Sequence, residues 1–156
     1  MFLYFTALLR NSSFSELCAV LELLPFKHFL VLFKKFPWNS ALHVAMQNFF
    51  TLLFYRLDNF ISDDEESCEK IDCEWFVGRY ELQCIPEILC DLINFAKANP
   101  TEVGYLGNVL YIAIAANDWE ADCAWLKQKV FDSQDEWKHI VQDVIQPFRE
   151  ILEKET

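Results

Sequence analysis

Apolar residues recur at helical spacing along most of this chain, in runs punctuated by proline rather than glycine. Leu17, Val20, Leu21 and Leu24 stand at i, i+3, i+4 and i+7, which places four side chains on one helix face. After Pro25, a second stripe runs through Phe26, Phe29, Leu30, Phe33 and Phe36. Leu42, Ala45, Met46, Phe49, Phe50, Leu53, Phe54 and Leu57 cover so wide an arc that their helix has to be buried on more than one side. The chain holds 15 Phe and only 3 Gly in 156 residues. It therefore has much to bury and few of the turn residues that a sandwich or barrel uses. The fold class is all-α.

Local signals set the helix boundaries. Ser13-Phe14-Ser15-Glu16 reads as a capping box, in which Ser13 and Glu16 satisfy each other's free backbone donors. Pro25 closes the first helix and can open the second, because a first turn does not need its missing N–H. Lys34, Lys35 and Pro37 end the second, and Asn39 is the N-cap of a long helix to about Leu57. Pro86 starts the next helix, with Ile85, Ile88, Leu89, Leu92 and Phe95 as its stripe, and Asn99-Pro100 ends it. Val103 to Ala116 reads as a helix with Gly104 and Gly107 near its start, and Asp118 caps another through Val130. Ser133-Gln134-Asp135-Glu136 is a second capping box. The last stripe holds Trp137, Ile140, Val141, Val144, Ile145, Phe148, Ile151 and Leu152. Pro147 lies inside it and is expected to kink or break that helix. Residues 1–156 thus read as a single all-α domain, or a fragment of a larger one. It holds six or seven helices, paired as in HEAT/armadillo-like helical-repeat stacks, without a fixed repeat period.

Charge is unevenly spread. The total is −11, from 13 Lys+Arg against 24 Asp+Glu. The stretch 58–74 holds Asp58, Asp63, Asp64, Glu65, Glu66, Glu69, Asp72 and Glu74 against Lys70. Like charges this dense repel and stay solvated, so the stretch reads as an acidic flexible loop. An acidic total excludes nucleic acid as the main partner, since phosphate neutralisation requires Lys/Arg patches. A membrane span is not expected either. The apolar start Met1 to Leu9 is far shorter than the about 20 residues a helix needs to cross a bilayer. The greasy stretch 14–33 is interrupted by Glu16, Glu22, Pro25, Lys27 and His28. With no signal-peptide features, the expected compartment is the cytoplasm, with the nucleus as a second. Cys18, Cys68, Cys73, Cys84, Cys90 and Cys123 form no C-x-x-C pair and read as reduced thiols. The gaps between Cys68, Cys73, Cys84 and Cys90 are too irregular for a structural zinc quartet. No metal and no cofactor is expected.

No catalytic or nucleotide-binding motif is present. His28, His43 and His139 are scattered. His43 reads as a hydrogen-bonded, partly buried side chain, and His139 as solvated. Two clusters stand out. In Phe36-Pro37-Trp38-Asn39-Ser40-Ala41-Leu42-His43, one helix stops and the next starts, so Trp38 sits at a corner where it either bridges two helices or meets a partner. In Gly104-Tyr105-Leu106-Gly107-Asn108, two glycines three apart on a helix clear one face for close backbone approach.

In this order, the two clusters resemble the SAPS domain family, the regulatory subunits of protein phosphatase 6 and its yeast counterpart. The family carries a stretch close to Phe/Tyr-Pro-Trp-Asn-Asn-x-Leu-His, matched here by Pro37, Trp38, Asn39, Leu42 and His43. It also carries Gly-Tyr-Met-Gly-His-Leu before an Ile-Ala-rich helix. Here that reads Gly104, Tyr105, Leu106, Gly107, Asn108 and Val109, followed by Ile112-Ala113-Ile114-Ala115. Asn108 replaces the family's His and Val109 its Leu. A Trp-led helix similar to that at Trp137 follows. The resemblance spans roughly residues 24–146 and corresponds to the C-terminal part of the family's domain. It implies a non-enzymatic helical scaffold. Such a subunit binds a 2A-like serine/threonine phosphatase catalytic subunit, and further regulatory subunits, and modulates targeting or activity. In the resemblance, Pro37, Trp38, Asn39, Leu42, His43, Gly104, Tyr105, Gly107 and Trp137 are the motif or partner-contact residues.

Three other readings stay open on the residues alone. One is a helical-repeat adaptor that does not bind phosphatase. Another is an enzyme with a site around His43. The last is a fragment whose apolar start, Phe2 to Phe5, drives self-association.

Overall fold

In the computed structural model, residues 6–7, 10, 13–23, 26–61, 78–122, 131 and 134–155 are described. Among them there are helices and no strand. In chain order these are α1 (Phe14–Leu23), α2 (Phe26–Lys35), α3 (Ser40–Ile61), α4 (Cys84–Ala98), α5 (Leu106–Asp122), α6 (Asp135–Ile140), a π-helical turn (Val141–Ile145) and α7 (Gln146–Glu155).

The starts of α1 and α3 follow from their caps. Ser13 Oγ accepts the Glu16 N–H at 3.3 Å. Asn39 Oδ1 accepts the Leu42 N–H at 3.0 Å, and the Asn39 carbonyl accepts the first intrahelical bond, from His43, at 3.0 Å. Caps of this kind contribute about 1 kcal/mol each. α3 continues past Leu57 to Ile61, so the first residues of the expected acidic loop are helical. The rest of that stretch, like the zinc-quartet candidates Cys68 and Cys73 and residues 1–5 and 8–9 of the apolar start, lies outside the described residues.

Several expected boundaries move. α4 begins at Cys84 rather than at Pro86. The proline falls in the first turn, where the N–H it lacks has no intrahelical acceptor. Asp118 is not an N-cap, because α5 runs straight through it to Asp122, and its carboxylate pairs with Arg149. The N-cap of α6 is Gln134, which makes no side-chain cap. Glu136 instead accepts a bond from Asn94 Nδ2 of α4 at 2.8 Å. Pro147 does not break the last helix. The chain widens into the π turn just before it, where the Gln146 N–H reaches back five residues to the Val141 carbonyl. Opening the turn gives the proline ring room that a tight α turn would deny it.

The core runs through the molecule along α3, α4 and α5. α3 contributes Met46, Phe49, Phe50, Leu53 and Phe54, all buried, and its most extensive packing is against α5. There α5 presents Val109, Ile112, Ala113 and Ala116. Small residues opposite large rings let two helices approach and interdigitate. α4 adds Leu89, Leu92, Ile93 and Ala96 and touches α2, α5 and α6. Trp137, Ile140 and Ile145 close the other end, and Tyr111 meets Phe148 edge-on at 5.6 Å. Phe33, Phe49, Phe50, Phe54 and Phe131 are buried, and each contributes about 1.5–3 kcal/mol. Not every stripe residue is inside: Phe36, Phe95 and Ile151 are exposed. No described helix is long and apolar enough to cross a membrane.

Candidate functional site

The two sequence clusters meet in space. Helix α2 ends at Lys35, and Phe36 to Asn39 turn the chain into α3. Residues 103–105, outside any helix and bent at Gly104, lead into α5. At their junction the Gly104 N–H donates to the Pro37 carbonyl at 2.8 Å. A Cβ on Gly104 would lie 2.9 Å from Cε3 and 3.0 Å from Cζ3 of Trp38. One edge of the indole is therefore seated on the glycine, while the side chain remains 63% exposed.

Beneath the surface the corner is pinned by His43. Its side chain is 1% exposed, and Nε2 lies 2.8 Å from the Phe36 carbonyl oxygen. A carbonyl can only accept, so Nε2 carries the proton. The same oxygen also accepts the Asn39 N–H at 3.2 Å. The imidazole lies 5.3 Å from the Phe33 ring and edge-on to Tyr105 at 6.0 Å. Phe33 and Tyr105 are 5.5 Å apart. The three rings form one buried cluster joining the end of α2, the first turn of α3 and the entry to α5. His43 is thus more deeply buried than its sequence context predicts.

Tyr105 is fully buried, and its hydroxyl has no hydrogen-bond partner among the described residues. Burial, reinforced by the nearby Asp91 charge, raises its pKa. Asn108 donates from Nδ2 to Gln47 Oε1 at 2.8 Å. That bond is a second tie between α5 and α3.

The remaining site candidates take other roles. Leu42 is half-buried behind the cap. Gly107 lies in the first turn of α5, and a Cβ there would meet nothing within 4 Å. Gly104 lies outside the helix, so the expected pair of glycines on one helix face is corrected: the close approach belongs to Gly104 alone. Trp137 is a core residue, 5.2 Å from the Phe131 ring. Phe33 and Asn108 are central to the corner, yet sequence reasoning assigned Phe33 only to a stripe and treated Asn108 as a departure from a motif. The signal for Phe33 was its position one turn before the Pro37 break.

Elsewhere, a cavity of ≈ 300 Å³ opens between Leu21, Glu22, Lys27, Arg79, Tyr80 and Cys84. Two exposed ion pairs occur here, Arg79 with Glu22 at 3.0 Å and Lys27 with Glu81 at 3.7 Å. Glu81 has φ 52°, a left-handed conformation that costs a non-glycine residue roughly 1–2 kcal/mol. Burial raises the Cys84 pKa, with the Glu81 charge adding to it. Among the described residues no group of His, Cys, Asp and Glu is placed to hold a metal ion.

The chain matches no family model, no curated protein and no solved structure.

Proposed function

We propose that this chain is a regulatory or scaffold subunit that binds a 2A-like serine/threonine protein phosphatase catalytic subunit and modulates its targeting or activity, without catalysis of its own. The observation that carries the reading is the junction of Pro37-Trp38 with Gly104. The two segments that resemble the SAPS domain family lie far apart in the chain, and they form one corner. Their common residues have physical work to do in it: Asn39 caps, His43 pins the turn from below, and Gly104 makes room for the indole.

Two further features support a scaffold. α2 touches α4, α3 touches α5 and α4 touches α6, and contact between alternate helices is what stacked helix pairs make. The corner also leaves a large amphipathic ring half in solvent, and Trp is among the commonest anchors of protein interfaces. The metals and the phosphoryl chemistry would belong to the partner. The cytoplasm, with the nucleus second, is the compartment this reading requires.

Affinity capture from a native extract, using the tagged chain as bait, tests the proposal. Recovery of a 2A-like catalytic subunit supports it. Capture of other proteins without any such subunit overturns it in favour of a helical adaptor of another kind.

A further inference from the structure

Away from the corner, the cavity of ≈ 300 Å³ between the end of α1, the start of α2 and the approach to α4 is at the small end of the range that ligand sites occupy. Leu21 and Tyr80 give it apolar lining, and both are buried. Its charged lining is balanced, with Lys27 and Arg79 against Glu22 and Glu81. Arg79 is hydrogen-bonded to Glu22 at 3.0 Å and lies 5.8 Å from the Tyr80 ring centroid. Lys27 Nζ is 3.7 Å from Glu81 Oε2, which is beyond hydrogen-bond reach. Neither of these two side chains makes another ion pair or a hydrogen bond among the described residues. Three ammonium donors and a carboxylate's lone pairs therefore stand side by side with their capacity unused by the protein. Both charges also act on the Cys84 thiol, which lines the same cavity, in opposite senses. Glu81 is the one non-glycine residue with a positive φ among the described residues, and strained backbone of this kind collects at ligand clamps.

We infer that this cavity binds a small zwitterion, a free α-amino acid with an apolar side chain. Its ammonium takes the Glu81 carboxylate, its carboxylate takes the Lys27 ammonium, and its side chain lies against Leu21 and Tyr80. The balance of charge selects this class. A plain anion entering the cavity meets a carboxylate beside each cation, and a plain cation meets an ammonium or guanidinium beside each carboxylate. A zwitterion instead replaces one loose ion pair by two charge-assisted hydrogen bonds. Opening the Lys27–Glu81 pair costs little, because its side chains are 50% and 60% exposed and such a pair is weak. The chain's net charge of −11 neither attracts nor repels a ligand of zero net charge. This inference goes beyond the phosphatase reading and does not rest on it.

Calorimetric titration of the purified full chain with free leucine, methionine and phenylalanine is the test. The N-acetyl form of each, a plain anion, and the amide of each, a plain cation, are titrated beside them. At least one free amino acid is expected to bind at a single site, with both of its blocked forms weaker by roughly tenfold or more, as loss of a hydrogen bond between charged groups predicts. Glu81→Gln and Lys27→Gln should each weaken binding by a similar factor, and Lys154→Gln, on α7, should leave it unchanged. Both cavity residues are exposed, so their variants keep the fold, which circular dichroism verifies. Glu81→Gly separates the site from the fold: glycine accepts the left-handed backbone without strain, so the urea midpoint should hold or rise while the ligand is lost. No binding by any of the three free amino acids, equal binding by an N-acetyl or amide form, or undiminished binding by Glu81→Gln would each overturn the inference.

Discussion

Gly104 and Trp38 share one small space, in which an indole edge occupies the place where any other residue at 104 would carry its Cβ. The glycine has no positive φ, so it is required for room and not for backbone freedom. Gly104→Ala should push the indole off its seat. The expected cost is about 1–3 kcal/mol, as for other overpacked sites, with a red shift in tryptophan emission. Gly107→Ala meets open space and sits in a helix, so it should gain up to about 1 kcal/mol. Urea unfolding of the two variants checks the contrast, and equal shifts would remove the special role of Gly104.

His43 holds the corner through a hydrogen bond to a carbonyl that has a second donor in the Asn39 N–H. Losing the imidazole therefore does not orphan the oxygen. His43→Leu keeps most of the volume against Phe33 and Tyr105 and should cost about 1 kcal/mol, the net worth of one hydrogen bond. His43→Ala adds a cavity beneath the two rings and should cost several times more. Thermal melts of both variants give the comparison.

The Tyr105 hydroxyl is buried without a partner among the described residues. A buried hydroxyl in that state is a cost of about 1–3 kcal/mol. Tyr105→Phe removes it without changing the packing and should raise stability, measured as a higher urea midpoint with an unchanged slope.

Alkali should unfold the protein through its buried thiol. Burial pushes Cys90 up to about 12 from an ordinary 9.0, with Glu136 adding in the same direction. Below the ordinary value both folded and unfolded chains keep the proton, and the contribution to stability is fully present. Above it the unfolded chain ionises first, so stability falls as pH rises towards the folded value. Tyr80, raised by burial to about 12 from 10.0, acts with the same sign at a slightly higher pH. Cys90→Ala should be less stable at neutral pH because of the cavity it leaves. Its stability should also decline less steeply between pH 9 and 12. Unfolding curves collected across that window decide it.

Much of this architecture is legible in the residues, and for identifiable reasons. Ser13 and Asn39 announce helix starts because their side chains do the capping themselves. The wide apolar arc of α3 announces burial on more than one side. What fails are readings that depend on a partner out of sequence view. Asp118 looks like a cap until Arg149 takes its carboxylate. Glu136 looks like half of a capping box until Asn94 reaches it. Phe95 looks like core because its spacing is right, yet it lies at the surface under Lys34. Pro147 looks like a break because spacing cannot show that one wider turn absorbs it. The corner was half legible: both clusters stood out, but nothing in the sequence showed that Gly104 and not Gly107 meets Trp38.

On the proposed function, Trp38, seated on Gly104, is the anchor for a 2A-like phosphatase catalytic subunit. A titration of a purified 2A-like catalytic subunit against the chain and two variants tests it directly. Binding by the unaltered chain and by Gly107→Ala, with a loss of roughly tenfold or more for Trp38→Ala, is the predicted result. No binding by the unaltered chain, or equal binding by Trp38→Ala, would contradict it.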